Sequence, residues 1–336
     1  MENLFSPFKF KNLNLKNRIV MAPMCQYAVT TQDGIPNDWH FIHYTSRAVG
    51  GTGLITIEMT GIDKDGRITN NDLGLWSDKQ IPFFSKIIGA CKNEGASVSL
   101  QLAHAGRKAE DVAIPIAPSA IRFEGSKYKC PRELSTHEVK SIVQKFASAT
   151  RRAVDAGVDA IELHAAHGYL IHQFQSPLTN KRKDKYGDDF AKFGVEVVEA
   201  VKSELPSSIP LIMRVSAVEY TKGGYDLNHS IEICKQYKKA GVEIFHISSG
   251  GEGSYPDDYP AHQVPFARAF KNELQVPVIA AGRLDSPQLA DSVICNKDAD
   301  LVAVGRGMLR DPYWALHATQ SLNYKTEVPT QYMRAF

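Results

Sequence analysis

The segment His164-Ala165-Ala166-His167-Gly168-Tyr169 sets two imidazoles three residues apart, with a phenol two residues further on. Two neighbouring histidines suit metal ligation, core packing or hydrogen-bond donation to a substrate oxygen. Zinc needs a third strong donor, and the chain offers only distant candidates, so no metal is expected. Core packing fits poorly, because Ala165, Ala166 and Gly168 surround the rings with small residues. Two N–H donors converging on one oxygen would stabilise a developing enolate. Donation by His164 and His167, with Tyr169 next in line, is the preferred reading.

A second constellation lies near the C-terminus, in Ala281-Gly282-Arg283 and Val304-Gly305-Arg306-Gly307. Glycine lets backbone N–H groups approach an anion closely, and arginine adds a bidentate charged fork. Together they predict a phosphate-bearing ligand. Asp311-Pro312 begins a helix whose N-terminus is expected to assist. The five cysteines, Cys25, Cys91, Cys130, Cys234 and Cys295, are scattered. That spacing argues against a disulfide framework, a zinc ribbon or an iron–sulfur cluster.

Eight short apolar runs must position these groups: Ile19–Met24, Leu54–Met59, Val98–Ala103, Ala160–His164, Pro210–Val215, Ile244–Ser248, Pro277–Ala281 and Leu301–Val304. Helical patterning separates most of them, as in Asp78–Gly95, Ser135–Gly157, Asp188–Leu205 and Asn228–Gly241, and Ser135-Thr136-His137-Glu138 reads as a capping box. This alternation predicts an α/β fold, a (β/α)8 TIM barrel in a single domain over 1–336. Chemistry in such a barrel sits at the C-terminal strand ends, which is where Cys25 and both constellations fall. Gly106–Leu134 forms an extended loop after strand 3, expected to act as a lid or substrate wall. The tail after Leu322, with Pro329, Tyr332 and Phe336, has no helical pattern and is expected to dock through its aromatic residues.

Side chains two apart on a strand share a face, pairing Ser99 with Gln101, Glu162 with His164, Arg214 with Ser216 and His246 with Ser248. Polar pairs in a covered strand need partners. All four are expected to point into the mouth of the barrel and meet a polar ligand. The competing reading is a network satisfied within itself, for example Glu162 with Arg214.

Composition bounds the rest. With 43% hydrophobic and 23% charged residues the chain is ordinary for a soluble globular protein. A net charge of +2 gives no electrostatic case for nucleic acid or a membrane surface. No apolar run approaches the roughly 20 residues of a membrane span, and Met1-Glu2-Asn3-Leu4-Phe5-Ser6 lacks a secretory layout. A cytoplasmic protein without nucleic-acid or membrane partners is expected.

Over essentially its whole length the chain resembles the Old Yellow Enzyme family of flavin-dependent ene-reductases, in its bacterial thermophilic-like class. The resemblance rests on Asn17-Arg18-Ile19-Val20-Met21-Ala22-Pro23-Met24-Cys25-Gln26-Tyr27, Gln101-Leu102-Ala103-His104-Ala105-Gly106-Arg107, and His164-Ala165-Ala166-His167-Gly168-Tyr169-Leu170. It continues through Ser176-Pro177-Leu178-Thr179-Asn180, Arg214-Val215-Ser216, Gly305-Arg306 and Gln331-Tyr332-Met333-Arg334. The cysteine after Pro23-Met24, and His-x-x-His where other classes carry His-x-x-Asn, mark the subclass.

The resemblance implies bound FMN, with NADPH or NADH as reductant and an enone or enal as substrate. Pro23, Met24, Cys25 and Met59 would line the isoalloxazine, Gln101 and Arg214 its pyrimidine edge, and Gly282, Arg283, Gly305 and Arg306 the phosphate. His164 and His167 would bind the substrate carbonyl, Tyr169 would supply a proton, and Cys25 would tune the flavin. Tyr27 and Lys108 would complete the substrate pocket. Arg334 would reach the site of an adjacent subunit in a homodimer or homotetramer. The family pattern is broken at Tyr186-Gly187-Asp188-Asp189-Phe190-Ala191-Lys192, where altered packing of helix 4 is expected, at the bulky Met59, and at the Ala335-Phe336 terminus. Two other functions stay open on the residues: a flavin-binding redox sensor that uses Cys25, and a flavin-free lyase or isomerase acting on a sugar phosphate.

Overall fold

The computed structural model describes residues 2–253, 256 and 259–335. Eight parallel strands form the frame: β1 (Ile19–Met21), β2 (Leu54–Gly61), β3 (Ser97–Ala103), β4 (Ala160–Ala165), β5 (Leu211–Ser216), β6 (Ile244–Ser248), β7 (Val278–Ala280) and β8 (Leu301–Val304). Each pairs with its neighbours in chain order, and β8 and β2 both pair with β1, which closes the barrel. The (β/α)8 expectation holds, with strand positions close to the eight apolar runs.

Strand alternation divides the apolar residues into two cores. Outward residues such as Ile55, Leu100, Leu163, Met213 and Phe245 pack beneath the helices. Inward residues Val20, Leu54, Ala160, Ile212, Ile244, Ile279 and Leu301 fill the lower barrel. A hairpin of Phe8–Phe10 and Leu13–Leu15 closes that floor, with Leu13 and Leu15 buried against the inward set. Burying one such leucine contributes about 1.5–3 kcal/mol. The floor is therefore dry and apolar, and polar side chains are confined to the upper interior.

The helices behind the strands include α1 (Asp38–Val49), α2 (Ile81–Asn93), α3 (Thr136–Asp155), α4 (Lys192–Glu204), α5 (Leu227–Ala240), α6 (Val264–Leu274), α7 (Pro287–Cys295) and α8 (Trp314–Ser321). The capping box at α3 forms as expected: Glu138 N–H donates to Ser135 Oγ, and Glu138 Oε2 accepts from Ser135 N–H. At the irregular segment before α4, Tyr186 is fully buried, its hydroxyl donating to Glu196 Oε2 at 2.7 Å and its ring edge-on to Phe174. A buried tyrosine thus seats this helix.

Three local features affect the site. In β2 an extra residue between Ile57 and Thr60 shifts the register against β3. This bulge re-aims the strand, so that Met59 meets the cleft while Glu58 meets Tyr44 of α1 at 2.9 Å. The long loop after β3 opens with a single 3-10 turn, Gly106–Lys108, and pairs Ile116–Ala117 with Arg132–Glu133. The tail does dock, but on its own chain: the Tyr332 and Tyr313 rings lie 5.8 Å apart with hydroxyls at 3.2 Å. Arg334 is exposed there, and Phe336 lies outside the described residues. Among the described residues no helix is long and apolar enough to cross a membrane.

Candidate active site

The C-terminal strand ends enclose a cleft with two lobes that share Pro23 and Arg214. One lobe, about 320 Å³, is walled by Cys25, Tyr27, Met59, Gln101, His164, His167 and Tyr169. The other, about 270 Å³, is walled by Ala22, Met24, Gly282, Arg283, Gly305 and Arg306, together with His262, Gln263, Ala281, Asp285 and Ala303. Residues from every barrel strand or the segment following it converge here, and the two constellations read from sequence occupy separate lobes. Lys108 and Arg334 belong to neither wall: Lys108 bonds to loop carbonyls and Arg334 lies on the exposed tail.

Of the four inward polar pairs, only Gln101, His164 and Arg214 reach the cleft. Ser99, Glu162 and His246 lie one layer lower and are fully buried. Glu162 is satisfied there by Gln101 Nε2 at 2.6 Å and His246 Nδ1 at 2.8 Å, so in this layer the competing reading, a network satisfied within itself, holds with these partners. The carboxylate accepts and cannot donate, so it fixes the Gln101 amide with its nitrogen down and its oxygen toward the cleft. Ser216 and Ser248 support His167 instead of meeting ligand: Ser216 Oγ accepts the His167 N–H at 3.1 Å, and Ser248 Oγ lies 2.7 Å from His167 Nε2.

The His164 tautomer follows from its partner. The Ala166 N–H donates to His164 Nδ1 at 3.3 Å, which leaves the proton on Nε2. Gln263 Nε2 donates to Ser248 Oγ at 3.3 Å. A serine oxygen that accepts from Gln263 can still either accept from His167 Nε2–H or donate to His167 Nε2, so both tautomers of His167 satisfy this contact. Burial, with Arg214 the next cause, holds both imidazoles well below the usual histidine range, so both are neutral donors. The rings stand edge to face at 5.2 Å, and Tyr169 packs edge-on to His164 at 4.7 Å. Burial also keeps the Tyr169 phenol protonated and pushes the Cys25 thiol well up.

Three of the ten described non-glycine residues with a left-handed backbone line the cleft. Tyr27, His167 and Arg283 adopt φ of 51°, 58° and 55°, a conformation that costs a side-chain-bearing residue about 1–2 kcal/mol. Gly305 serves another purpose. A Cβ there would meet only Met24 Sδ at 3.5 Å and Ala22 Cβ at 3.9 Å, so glycine keeps the cradle open. Arg306 starts the short turn Arg306–Arg310. This turn, and not the helix after Pro312, adjoins the cradle; Asp311 bonds Tyr313 N–H and His317 instead. The residues fit the expected FMN: a ring-sized lobe with a polar edge opens into a glycine- and arginine-lined cradle.

Behind the site, His172, Glu219 and Glu252 bring ligand-type atoms within 4.8 Å of one another. His172 Nε2 bonds Glu219 at 3.0 Å and Glu252 pairs with Arg107.

Sequence reading missed the cradle residues Ala22, His262, Gln263, Asp285 and Ala303, and it gave Ser216 and Ser248 a ligand contact in place of their bonds to His167. Only Gln263 carried a signal, since it immediately precedes α6 at a strand-end loop.

The model of the NADH:flavin oxidoreductase / NADH oxidase family matches residues 3–325. An NADPH dehydrogenase of Listeria monocytogenes is 45% identical over 340 residues, covering 100% of both chains. Morphinone reductase in complex with tetrahydroNAD superposes with a TM-score of 0.83 at 28% identity, over 98% of this chain and 93% of that one. A 2-naphthoyl-CoA reductase in complex with 2-naphthoyl-CoA gives a TM-score of 0.89 at 25% identity. The match covers 96% of this chain but spans only 52% of the reductase.

Proposed function

Since the chain belongs to the NADH:flavin oxidoreductase / NADH oxidase family, that of the Old Yellow Enzymes, and is an FMN-dependent oxidoreductase using NAD(P)H, we propose that it is an ene-reductase acting on the activated C=C bond of α,β-unsaturated carbonyl compounds. The observation that carries this reading is the pair of neutral imidazoles, His164 and His167, side by side in the wall of the lobe that Cys25, Met59 and Gln101 also line. Family membership sets aside the flavin-free lyase or isomerase.

Bound FMN would supply the hydride chemistry that links the nicotinamide to the alkene. Pro23, Met24, Cys25 and Met59 would form the wall for its rings. Gln101 and Arg214 would meet its polar edge, and Gly282, Arg283, Gly305 and Arg306 would hold its phosphate. His164, through Nε2–H, and His167, through a ring N–H, grip the substrate carbonyl and stabilise the charge that grows on its oxygen. Each donor of this kind contributes roughly 3–4 kcal/mol. Tyr169 delivers the proton to the α-carbon from a phenol that burial keeps protonated. Cys25, held as a thiol, tunes the flavin potential. Tyr27 forms the exposed rim, and Arg334 completes the site of a second copy in a homo-oligomer.

The test is a titration with 4-hydroxybenzaldehyde, followed through the flavin spectrum. Replacing both histidines, His164→Ala with His167→Ala, should leave FMN bound and weaken the phenol at least about 100-fold. An unchanged dissociation constant would refute the assignment.

A further inference from the structure

Lys108 ends the 3-10 turn Gly106–Lys108 after β3, and its ammonium serves the turn beyond His164. Nζ donates to the His167 carbonyl at 2.7 Å and to the Gly251 carbonyl at 3.1 Å. The same ammonium lies 4.0 Å from the centre of the Phe123 ring and 5.5 Å from that of Tyr169. Glu252, itself paired with Arg107, supplies the nearest counter-charge.

What Lys108 holds is strained. His167 has a left-handed backbone, and Gly168 follows it with φ of 73°. A Cβ on Gly168 would lie 2.4 Å from Gly251 O and 3.0 Å from Lys108 Nζ, so the two loops meet there with no room for a side chain. Two carbonyl oxygens converge on one point, where their dipoles repel unless a cation lies between them. Ser216 holds the His167 N–H and Ser248 holds its ring; Lys108 supplies the anchor at the carbonyl.

We propose that Lys108 is a positioning residue for His167: its ammonium clamps the His167 carbonyl to the Gly251 carbonyl and so aims the His167 ring at the substrate oxygen. This rests on the reading of His167 as a carbonyl donor, and it replaces the expected contact between Lys108 and substrate.

Lys108→Met keeps the stem against Phe123 and Tyr169 and removes the charge, while Lys108→Arg restores it. The dissociation constant of 4-hydroxybenzaldehyde is measured on FMN-loaded protein for both variants, for His167→Ala and for Lys108→Met with His167→Ala. Amide hydrogen exchange is followed over 164–170. Lys108→Met should weaken the phenol about tenfold, Lys108→Arg should recover part of that, and the methionine should change affinity less than about twofold once His167 is gone. Exchange over 166–169 should accelerate in Lys108→Met. An equal loss with and without His167 means a direct substrate contact and overturns the proposal, as does unchanged affinity with unchanged exchange. If His167→Ala alone leaves phenol affinity intact, the carbonyl-donor reading fails. The exchange arm then decides the clamp: acceleration upholds it and no change overturns it.

Discussion

Gln101 Nε2 donates to Glu162 Oε1 at 2.6 Å, directly across the β3–β4 register, where the two residues are partners. The carboxylate below the cleft therefore decides which end of the Gln101 amide faces the cleft. Glu162→Gln removes the acceptor-only partner and lets the Gln101 amide invert. FMN should be retained about tenfold less tightly, and the fold should lose about 1–3 kcal/mol because one amide oxygen replaces the two carboxylate oxygens that Gln101 and His246 use. Fluorimetric FMN release and urea unfolding measure the two effects; no change in either contradicts this account of the layer.

Arg306 lines the cradle beside Gly305. Arg306→Ala removes one charged fork from the phosphate, a change of about 1.5–3 kcal/mol, or roughly 10–150-fold in FMN affinity. Adding FMN to the apoprotein under fluorescence should show it. Release of FAD from heat-denatured wild-type protein would contradict the cofactor assignment at this cradle.

Stability should peak near neutral pH. Burial lowers His43 to about 3 and His40 and His104 to about 4, and holds His164 and His167 well below 6.5. Below the unfolded value of 6.5 the unfolded chain binds protons that the folded chain refuses, so stability falls as pH drops toward 4. Glu58, raised to about 8 by burial, acts the other way: its folded state keeps a proton that the unfolded chain loses above 4.5, so stability falls as pH rises through that window. Asp72, raised to about 6 for the same reason, adds to this over a shorter range. Five histidines outweigh two carboxylates on the acid side. Melting temperatures should be highest near pH 6.5 and fall more steeply toward acid; a flat profile between about pH 5 and 6.5 would contradict the neutral-histidine assignment.

The positions of the strands were legible because barrel strands, covered on both faces, read as continuous apolar runs. The Gly-Arg steps and the two histidines stood out because each interrupts or ends such a run. Depth within the barrel was not legible. Period-two alternation places Ser99, Gln101, Glu162 and His246 on the inner face alike, and only closure of the barrel shows that Gln101 reaches the cleft while the other three lie beneath it. The bulge that turns Met59 inward and Glu58 outward breaks that same alternation. The floor hairpin went unread because Phe8–Phe10 and Leu13–Leu15 are three-residue strands. The bonds from Ser216, Ser248 and Lys108 to His167 join loops 49, 81 and 59 residues apart in sequence, a distance no local pattern records.

The tail tests the subunit proposal. Tyr332 is held by Tyr313 on its own chain, which leaves the exposed Arg334 as the part available to a second copy. Deleting residues 331–336 should raise KM for an enone several-fold, leave kcat within about twofold, and lower the mass seen by light scattering. Unchanged kinetics with unchanged mass would remove Arg334 from the site.

The most direct test of the central claim is the anaerobic oxidative half-reaction. Protein reduced with one equivalent of NADPH is mixed with 2-cyclohexen-1-one, and the return of the oxidised flavin absorbance is followed. The account predicts full reoxidation without oxygen, yielding cyclohexanone, and a rate at least about 100-fold lower when His164 and His167 are both alanine. Reoxidation only on admitting oxygen, or an equal rate in the double variant, would contradict it.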